Sequence, residues 1–335
     1  MSIPKISVLL SVRNEEKYLL AALDSVLRQS FQNWELIAID DGSTDDSFGI
    51  LKQRAAKDSR IRIFKRPAFG LVAALNFGLK QCRAELIARF DGDDICHPER
   101  LKLQYAAMTQ NPGIDVLGSR VRHFPRPKLR GGMLAYESWQ NSLLSHEQIM
   151  CNLFVESPLA NPSVMIRKAM IDKVSGYQDQ EWAEDYDLWL RMAENSAQFA
   201  RLPQTLLYWR DHPQRMTRTA EICSLDAFRQ AKSHFLARGV LAEKKSIWIW
   251  GIGPEGKKWR KLLMNKGIEV AGWIDVDRKK IGHSLHGAMV IGPEQVPAKP
   301  PLILVCVGAK GARQKIKDFC QSRDLSEGED YLCVT

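Results

Sequence analysis

Three carboxylates crowd around one glycine where Asp91-Gly92-Asp93-Asp94 follows the β-like run Ala84-Glu85-Leu86-Ile87-Ala88-Arg89-Phe90. Oxygen donors at the end of a strand suit a hard divalent cation, which keeps waters and takes up substrate phosphates beside one or two carboxylates. Mn²⁺ or Mg²⁺ is therefore the expected cofactor. A lone Asp-x-Asp is more often a solvated turn, since Asp and Gly are ordinary turn residues. A second acidic loop changes that weighting: Trp34-Glu35-Leu36-Ile37-Ala38-Ile39 runs into Asp40-Asp41-Gly42-Ser43. A third strand-like run, Lys5 to Leu10, leads through Ser11-Val12-Arg13-Asn14-Glu15-Glu16 into an amphipathic stretch expected to carry Leu19, Leu20, Leu23, Val26 and Leu27 on one face.

Strand runs that alternate with helical patterns imply βαβ units and a parallel sheet. Open sheets of this kind bind ligands beyond the carboxyl ends of their strands, so the three polar loops are expected on one rim. The two acidic turns, in this order behind the Ser11 loop, resemble the nucleotide-sugar-binding half of the family 2 glycosyltransferases. The resemblance continues through Asn161-Pro162-Ser163, Ser175-Gly176-Tyr177, Glu184-Asp185-Tyr186-Asp187 and Tyr208-Trp209-Arg210-Asp211-His212, so it covers residues 3 to 220.

It implies an α/β fold: a GT-A nucleotide-diphospho-sugar transferase-like doubly wound sheet. The donor implied is a nucleoside-diphosphate sugar, and the acceptor a hydroxyl of a saccharide or lipid-linked acceptor in surface polysaccharide or glycoconjugate synthesis. By position, Asp40 matches the base-binding residue, with Ser11 and Arg13 beside it and Asp91 at the diphosphate. Asp93 matches the direct metal ligand, with Asp91 and His212 completing that shell. Asp185 matches the base that takes the acceptor proton, Glu184 is its nearest substitute, and inversion at the anomeric carbon is implied. The first loop departs from the family's habit by carrying Arg13 where an aromatic residue is common. Carboxylates at 184, 185 and 187 also read as first-turn residues that favour a helix dipole.

At 335 residues with 45% hydrophobic side chains, the chain exceeds the usual single domain and can build real cores. No apolar run reaches the ~20 residues of a membrane span, and Met1 to Lys5 lacks the apolar centre of a signal peptide. The expected location is the cytosol. Seven cysteines, odd in number and without a Cys-x-x-Cys pair, point away from zinc knuckles and disulfide frameworks. A net charge of +9 invites anionic partners. Part of it lies in Arg120 to Arg130, a proline-punctuated loop that reads either as plain solvated surface or as a contact for a diphosphate or a polyanionic lipid acceptor, peripherally at the inner face of a membrane. No nucleic-acid module accompanies the charge, so nucleic acid is not an expected partner.

A helical stretch ends at Arg238-Gly239, and a new pattern begins. Ile247-Trp248-Ile249-Trp250 leads into Gly251-Ile252-Gly253-Pro254-Glu255-Gly256, then a helix through Trp259 and Leu263, then Val270 to Ile274 ending at Asp275. That is the order of a dinucleotide-binding half. The expected division is thus 1–238 for the glycosyltransferase domain and 244–335 for a small Rossmann-like α/β domain. Two other classes compete: a nicotinamide-dependent oxidoreductase using the C-terminal glycine loop, which leaves the acidic turns unexplained, and a noncatalytic nucleotide-sugar-binding protein. Pro254 removes one N–H from the loop that would cradle a pyrophosphate, and the glycines also serve close helix packing. A structural or docking role for this module is the preferred expectation.

Overall fold

The computed structural model describes residues 3–309 and 311–335. The chain forms two compact units, one of residues up to 149 together with 158–220, the other of 150–157 together with 221–335.

The first unit holds an eight-stranded sheet. Its strands are β1 (Ile6–Val12), β2 (Trp34–Asp41), β3 (Ile61–Arg66), β4 (Leu86–Asp91), β5 (Ile95–Cys96), β6 (Val116–Phe124), β7 (Met165–Arg167) and β8 (Phe199–Arg210), in the order β3-β2-β1-β4-β7-β6-β8-β5. The first four strands pair in parallel, and β1 and β2 are buried along their whole lengths. Both faces of a parallel sheet are covered by crossover helices, so its strands read as unbroken apolar runs. Register levels the ends: Val12 stands opposite Asp40 across β1 and β2, and Ser11 opposite Asp91 across β1 and β4. The three polar loops thus share one rim, as expected.

Beyond β4 the sheet turns antiparallel at β7. A buried arginine ties this change of direction together. Arg100 is fully buried at the start of the helix Arg100–Gln110; its Nη2 donates to the carbonyls of Arg89 (2.7 Å) and Val164 (3.3 Å). Gln104, one turn on, donates to the carbonyls of Leu117 and Ser163 at 3.0 and 2.9 Å. Unpaired buried carbonyls are costly, and these two side chains cap four of them.

The Arg120–Arg130 segment is a loop only in its second half. Arg120 and Arg122 lie on β6, which pairs with β8 as far as Phe124. Val121 and His123 are buried while Arg122 between them is exposed, which is the period-2 alternation of a half-buried strand. The charges and the two prolines hide that alternation. Only Pro125 onward leaves the sheet, through the short turn Arg126–Lys128.

The second unit carries a six-stranded sheet of β9 (Ser246–Trp250), β10 (Glu269–Ile274), β11 (Ser284–Leu285), β12 (Ala288–Ile291), β13 (Ile303–Val305) and β14 (Tyr331–Cys333), ordered β11-β12-β10-β9-β13-β14 and parallel except at β11. The Rossmann-like expectation holds, but the division at 238/244 does not match the packing. The helix Leu225–Arg238 belongs with this unit: Leu236 lies in its core and Arg229 pairs with Glu255 at 2.9 Å. The segment 150–157 belongs there too, with Phe154 against the same core. Lys232 holds that segment, its buried ammonium donating to the carbonyls of Val155 (2.7 Å) and Val334 (3.3 Å). Burial pushes this amine down to about 8.

Candidate active site

Asp91 ends β4, and Gly92, Asp93 and Asp94 turn the chain beyond it. One carboxylate oxygen from each of Asp91, Asp93 and Asp94 lies within 4.8 Å of the other two. Asp94 is fully buried; Arg210 N donates to its Oδ1 at 2.7 Å, while its Oδ2 has no protein partner. Burial, reinforced by the charges of Asp93 and Asp91, holds its carboxyl well above the ordinary range. Burial also raises Asp91, against the pull of Arg89 and with a further push from Asp93. Mutually repelling oxygens with an orphaned buried acceptor fit a hard divalent cation, whose charge would relieve both strains.

His212 arrives from the segment after β8. Its Nε2 lies 2.9 Å from Asp93 Oδ2, and its ring packs against Tyr18 with centroids 5.2 Å apart. Asp91, Asp93 and Asp94, the three carboxylates of the turn, thus lie together, and His212 meets them at Asp93. Glycine at 92 has a steric reason: a Cβ there would sit 2.1 Å from Glu15 Oε2. Glu15 is thus a further carboxyl at this turn. Burial first, then the charges of Asp93 and Asp91, holds it far above its usual value.

Arg89, two residues before Asp91 on β4, is buried and pairs with Asp91 Oδ1 at 2.7 Å. Its charge also acts on Glu184, Tyr177 and Glu15. Glu184 and Asp185 open the helix Glu184–Glu194. Burial lifts Glu184 to about 8, with the Asp185 charge adding to it. Burial lifts Asp185 to about 6, opposed by the Tyr186 N–H that donates to Oδ1 at 2.7 Å and increased by the charge of Asp91. The acidic pair and the metal-type cluster are therefore in electrostatic contact. Asp187 has a different task, accepting from Arg191 Nε (2.6 Å) and Trp182 Nε1 (3.0 Å) inside its own helix region.

Ser11 and Asp40 reach the rim with opposite outcomes. Ser11 sits between β2 and β4, paired with Ile39 and Asp91. Asp40 is wholly buried, and neither carboxylate oxygen has a hydrogen-bond partner. It shares a strand face with Leu36 and Ala38, which lie in the core cluster with Leu19 and Leu23. The next residue faces the other way: Asp41 accepts from the N–H groups of Phe69 and Gly70, each at 3.0 Å, and its Oδ2 is 4.0 Å from Arg13 Nη1. Arg13 thus comes to Asp41 rather than to Asp40. The sequence reading placed Asp94 and Asp41 in the acidic turns but gave them no individual role, and it gave none to Glu15, Arg89 or Arg215. The guanidinium of Arg215 lies over the Trp209 ring at 4.1 Å, and its charge acts on Asp91 and Asp94; the available signal was a basic residue three places after His212.

In the second unit the glycine loop is engaged with itself. Asp275 Oδ2 accepts from Ile252 N at 3.1 Å and Oδ1 from Asp277 N at 2.9 Å. A Cβ at Gly256 would lie 1.9 Å from the Gly251 carbonyl oxygen, so this glycine serves close helix–strand packing.

Residues 7–175 match the family model described as glycosyl transferase family 2. The O-antigen biosynthesis glycosyltransferase WbnJ of Escherichia coli is 33% identical over 212 residues, covering 62% of this chain and 80% of the relative. The UDP-Gal:alpha-D-GlcNAc-diphosphoundecaprenol beta-1,3-galactosyltransferase of the same species is 29% identical over 235 residues, 69% and 83% of the two chains. Among solved structures, Staphylococcus aureus TarS 1–349 with UDP-GlcNAc superposes with a TM-score of 0.56 at 18% identity, covering 78% of this chain and 80% of that one. The mannosyltransferase PcManGT of Pyrobaculum calidifontis, in complex with GDP-Man and Mn²⁺, gives 0.50 at 15% identity, covering 79% and 69%. These two likenesses bear on the fold.

Proposed function

This chain belongs to glycosyl transferase family 2 and is a glycosyltransferase, and from that premise we propose that it moves a sugar from a nucleoside diphosphate to a hydroxyl of a saccharide or lipid-linked acceptor, with inversion, in surface polysaccharide synthesis. One observation carries the reading: the carboxylates of Asp91, Asp93 and Asp94 and the raised pair Glu184–Asp185 lie in one electrostatically coupled site around Arg89. The relatives support the substrate class, since one is named for O-antigen synthesis and another for a diphosphoundecaprenol-linked acceptor. Solved relatives bound to UDP-GlcNAc, and to GDP-Man with Mn²⁺, support the donor class and the ion.

Asp91, Asp93 and His212, with Asp94 behind them, would hold Mn²⁺ or Mg²⁺. A bound ion supplies Lewis-acid neutralisation of the charge that grows on the departing diphosphate. Asp185 takes the acceptor proton while the acceptor oxygen bonds to the anomeric carbon and the bond to the phosphate oxygen breaks. A carboxyl lifted to about 6 is ionised at neutral pH yet basic enough to accept that proton, the compromise general-base catalysis favours. Glu184, lifted further, stays protonated and keeps the second negative charge out of the site. Ser11, Arg13 and the Asp40–Asp41 pair are assigned to the nucleoside end. Exposed Arg122, Arg126, Lys128 and Arg130 are assigned to peripheral contact with an anionic membrane at its cytosolic face, where each basic residue contributes on the order of 1 kcal/mol. No helix among the described residues is long and apolar enough to cross a membrane.

The test is a thermal-shift screen of nucleotide sugars with and without Mn²⁺, because a ligand that binds only the folded state raises the melting temperature. A donor-specific, Mn²⁺-dependent rise is expected, followed by release of the nucleoside diphosphate on adding acceptor. Absence of any shift across UDP-, GDP- and dTDP-sugars at every Mn²⁺ concentration would refute the donor assignment.

A further inference from the structure

We infer that Phe69 is the platform on which the nucleobase of the donor stacks; this inference rests on the glycosyltransferase reading above and deepens it. Of the Phe, Tyr and Trp rings in the described residues, Phe69 alone is exposed, at 63%, while every other ring is buried or half-buried. A single exposed apolar side chain on a loose loop would need no explanation. This loop is not loose.

Phe69 follows β3, and its backbone is clamped from β2. Asp41 takes the N–H groups of Phe69 and Gly70 with its two oxygens, each at 3.0 Å. Gly42, at φ 73°, presses so closely on the loop that a Cβ would lie 2.7 Å from Ala68 N. Gly70, at φ 94°, then turns the chain into the helix Leu71–Gln81, a conformation other residues rarely adopt. An aromatic ring is thereby held at the carboxyl end of the sheet, where ligands of open α/β sheets bind, with the Arg66 guanidinium 5.4 Å from its centroid and most of its surface open to solvent.

The alternatives on this rim are committed elsewhere. Tyr18 packs against His212 and carries the Arg210 guanidinium 4.4 Å from its centroid, on the metal side. The first loop, residues 11–16, contains no aromatic residue. Its Arg13 is 56% exposed and 4.0 Å from Asp41 Oδ2, so Asp41 has the guanidinium at one oxygen and the Phe69 backbone at the other. A nucleobase offers a flat π-face to such a ring whatever its edge, so Phe69 contributes affinity for the base rather than its identity.

The experiment measures Mn²⁺-dependent binding of UDP, GDP and inorganic pyrophosphate by calorimetry to the full chain and to Phe69→Ala and Phe69→Trp. Phe69→Ala should bind the preferred nucleoside diphosphate roughly tenfold or more weakly, the scale of one lost base–aromatic stack, with pyrophosphate affinity and melting temperature unchanged. Phe69→Trp should retain nucleotide affinity and show nucleotide-dependent fluorescence quenching beyond that of the parent. Unaltered nucleotide affinity in Phe69→Ala overturns the inference and leaves the donor reading standing, as does a parallel loss of nucleotide and pyrophosphate. A parent protein that binds pyrophosphate but neither UDP nor GDP overturns the donor reading, and the inference with it.

Discussion

Asp185→Asn should cost the protein its reaction and raise its stability. The carboxyl is held at about 6 against an ordinary 3.8, chiefly by burial. The folded state therefore keeps a proton that the unfolded chain releases near 3.8. Between those values the folded state binds more protons, so stability falls as pH rises through the window and the full penalty is present above it. At 1.36 kcal/mol per pH unit the penalty amounts to about 3 kcal/mol. Solvent screening of a half-buried group reduces this to about 1–2 kcal/mol. Asparagine cannot ionise, and its carbonyl oxygen can still accept from Tyr186 N–H, now at 2.7 Å from Oδ1. The melting temperature at pH 7 should rise by ~2–8 °C for a unit of this size, with little difference near pH 4. Losing the Asp185 charge should also let Glu184 titrate lower, since that charge is the second contribution to its rise. Transfer should drop ~100-fold or more, the scale of general-base catalysis, while donor affinity stays near that of the parent. Scanning calorimetry at both pH values, paired with a nucleoside-diphosphate release assay, reads both effects. A lower melting temperature at pH 7, or turnover within tenfold of the parent, would refute the reasoning.

Other outcomes follow from the same site and from the second unit. Transfer by the parent protein should fall about tenfold from pH 7 to pH 5 as Asp185 takes up its proton; a flat profile would remove Asp185 as the base. Asp93→Asn should abolish the Mn²⁺-dependent part of donor stabilisation in thermal-shift measurements, and an unchanged Mn²⁺ response would contradict the metal assignment. Gly92→Ala drives a Cβ into Glu15 Oε2 and should destabilise the protein by about 1–3 kcal/mol; Glu15→Ala in the same chain should restore it, and failure to rescue would show that the clash is not the cause. Lys232 is held at about 8 against an ordinary 10.5, so the folded state releases this proton first and stability should rise from pH 8 to pH 10.5. Lys232→Met should lose that slope in denaturant titrations, and equal slopes in the two proteins would refute the burial argument.

Much of the first sheet is legible in the sequence because β1, β2 and β4, parallel strands covered on both faces, read as apolar runs, and each ends in polar residues that must lie on one rim; β3, with Arg62, Lys65 and Arg66, gives no such run. Legibility ends where partners are remote in sequence. Arg89 looks like an interruption of an apolar strand, and nothing nearby announces that its charge also acts on Glu184 at the start of the helix Glu184–Glu194. Asp40 and Asp41 illustrate a finer limit. Adjacent strand residues point to opposite faces, so a motif that names the pair leaves open which carboxylate goes into the core. The strand at Arg120–Phe124 is hidden by its charges, although Val121 and His123 keep the alternation.

The eight residues 150–157 give the smaller unit a history in time. They leave the ribosome well before the helix Leu225–Arg238 whose Lys232 grips Val155, and before Val334, just past β14, whose carbonyl is the second in that grip. At typical synthesis rates of about 5–20 residues per second, Phe154 and Val155 wait roughly 4–16 s for that helix. During this interval Phe154 lacks the core against which it packs in the folded chain. A gene fragment stopped at Gly239 would make the wait permanent, because β9–β14 would never arrive. The smaller unit is therefore no detachable cassette: a transplanted tail finds its core incomplete unless the recipient carries the eight-residue insert.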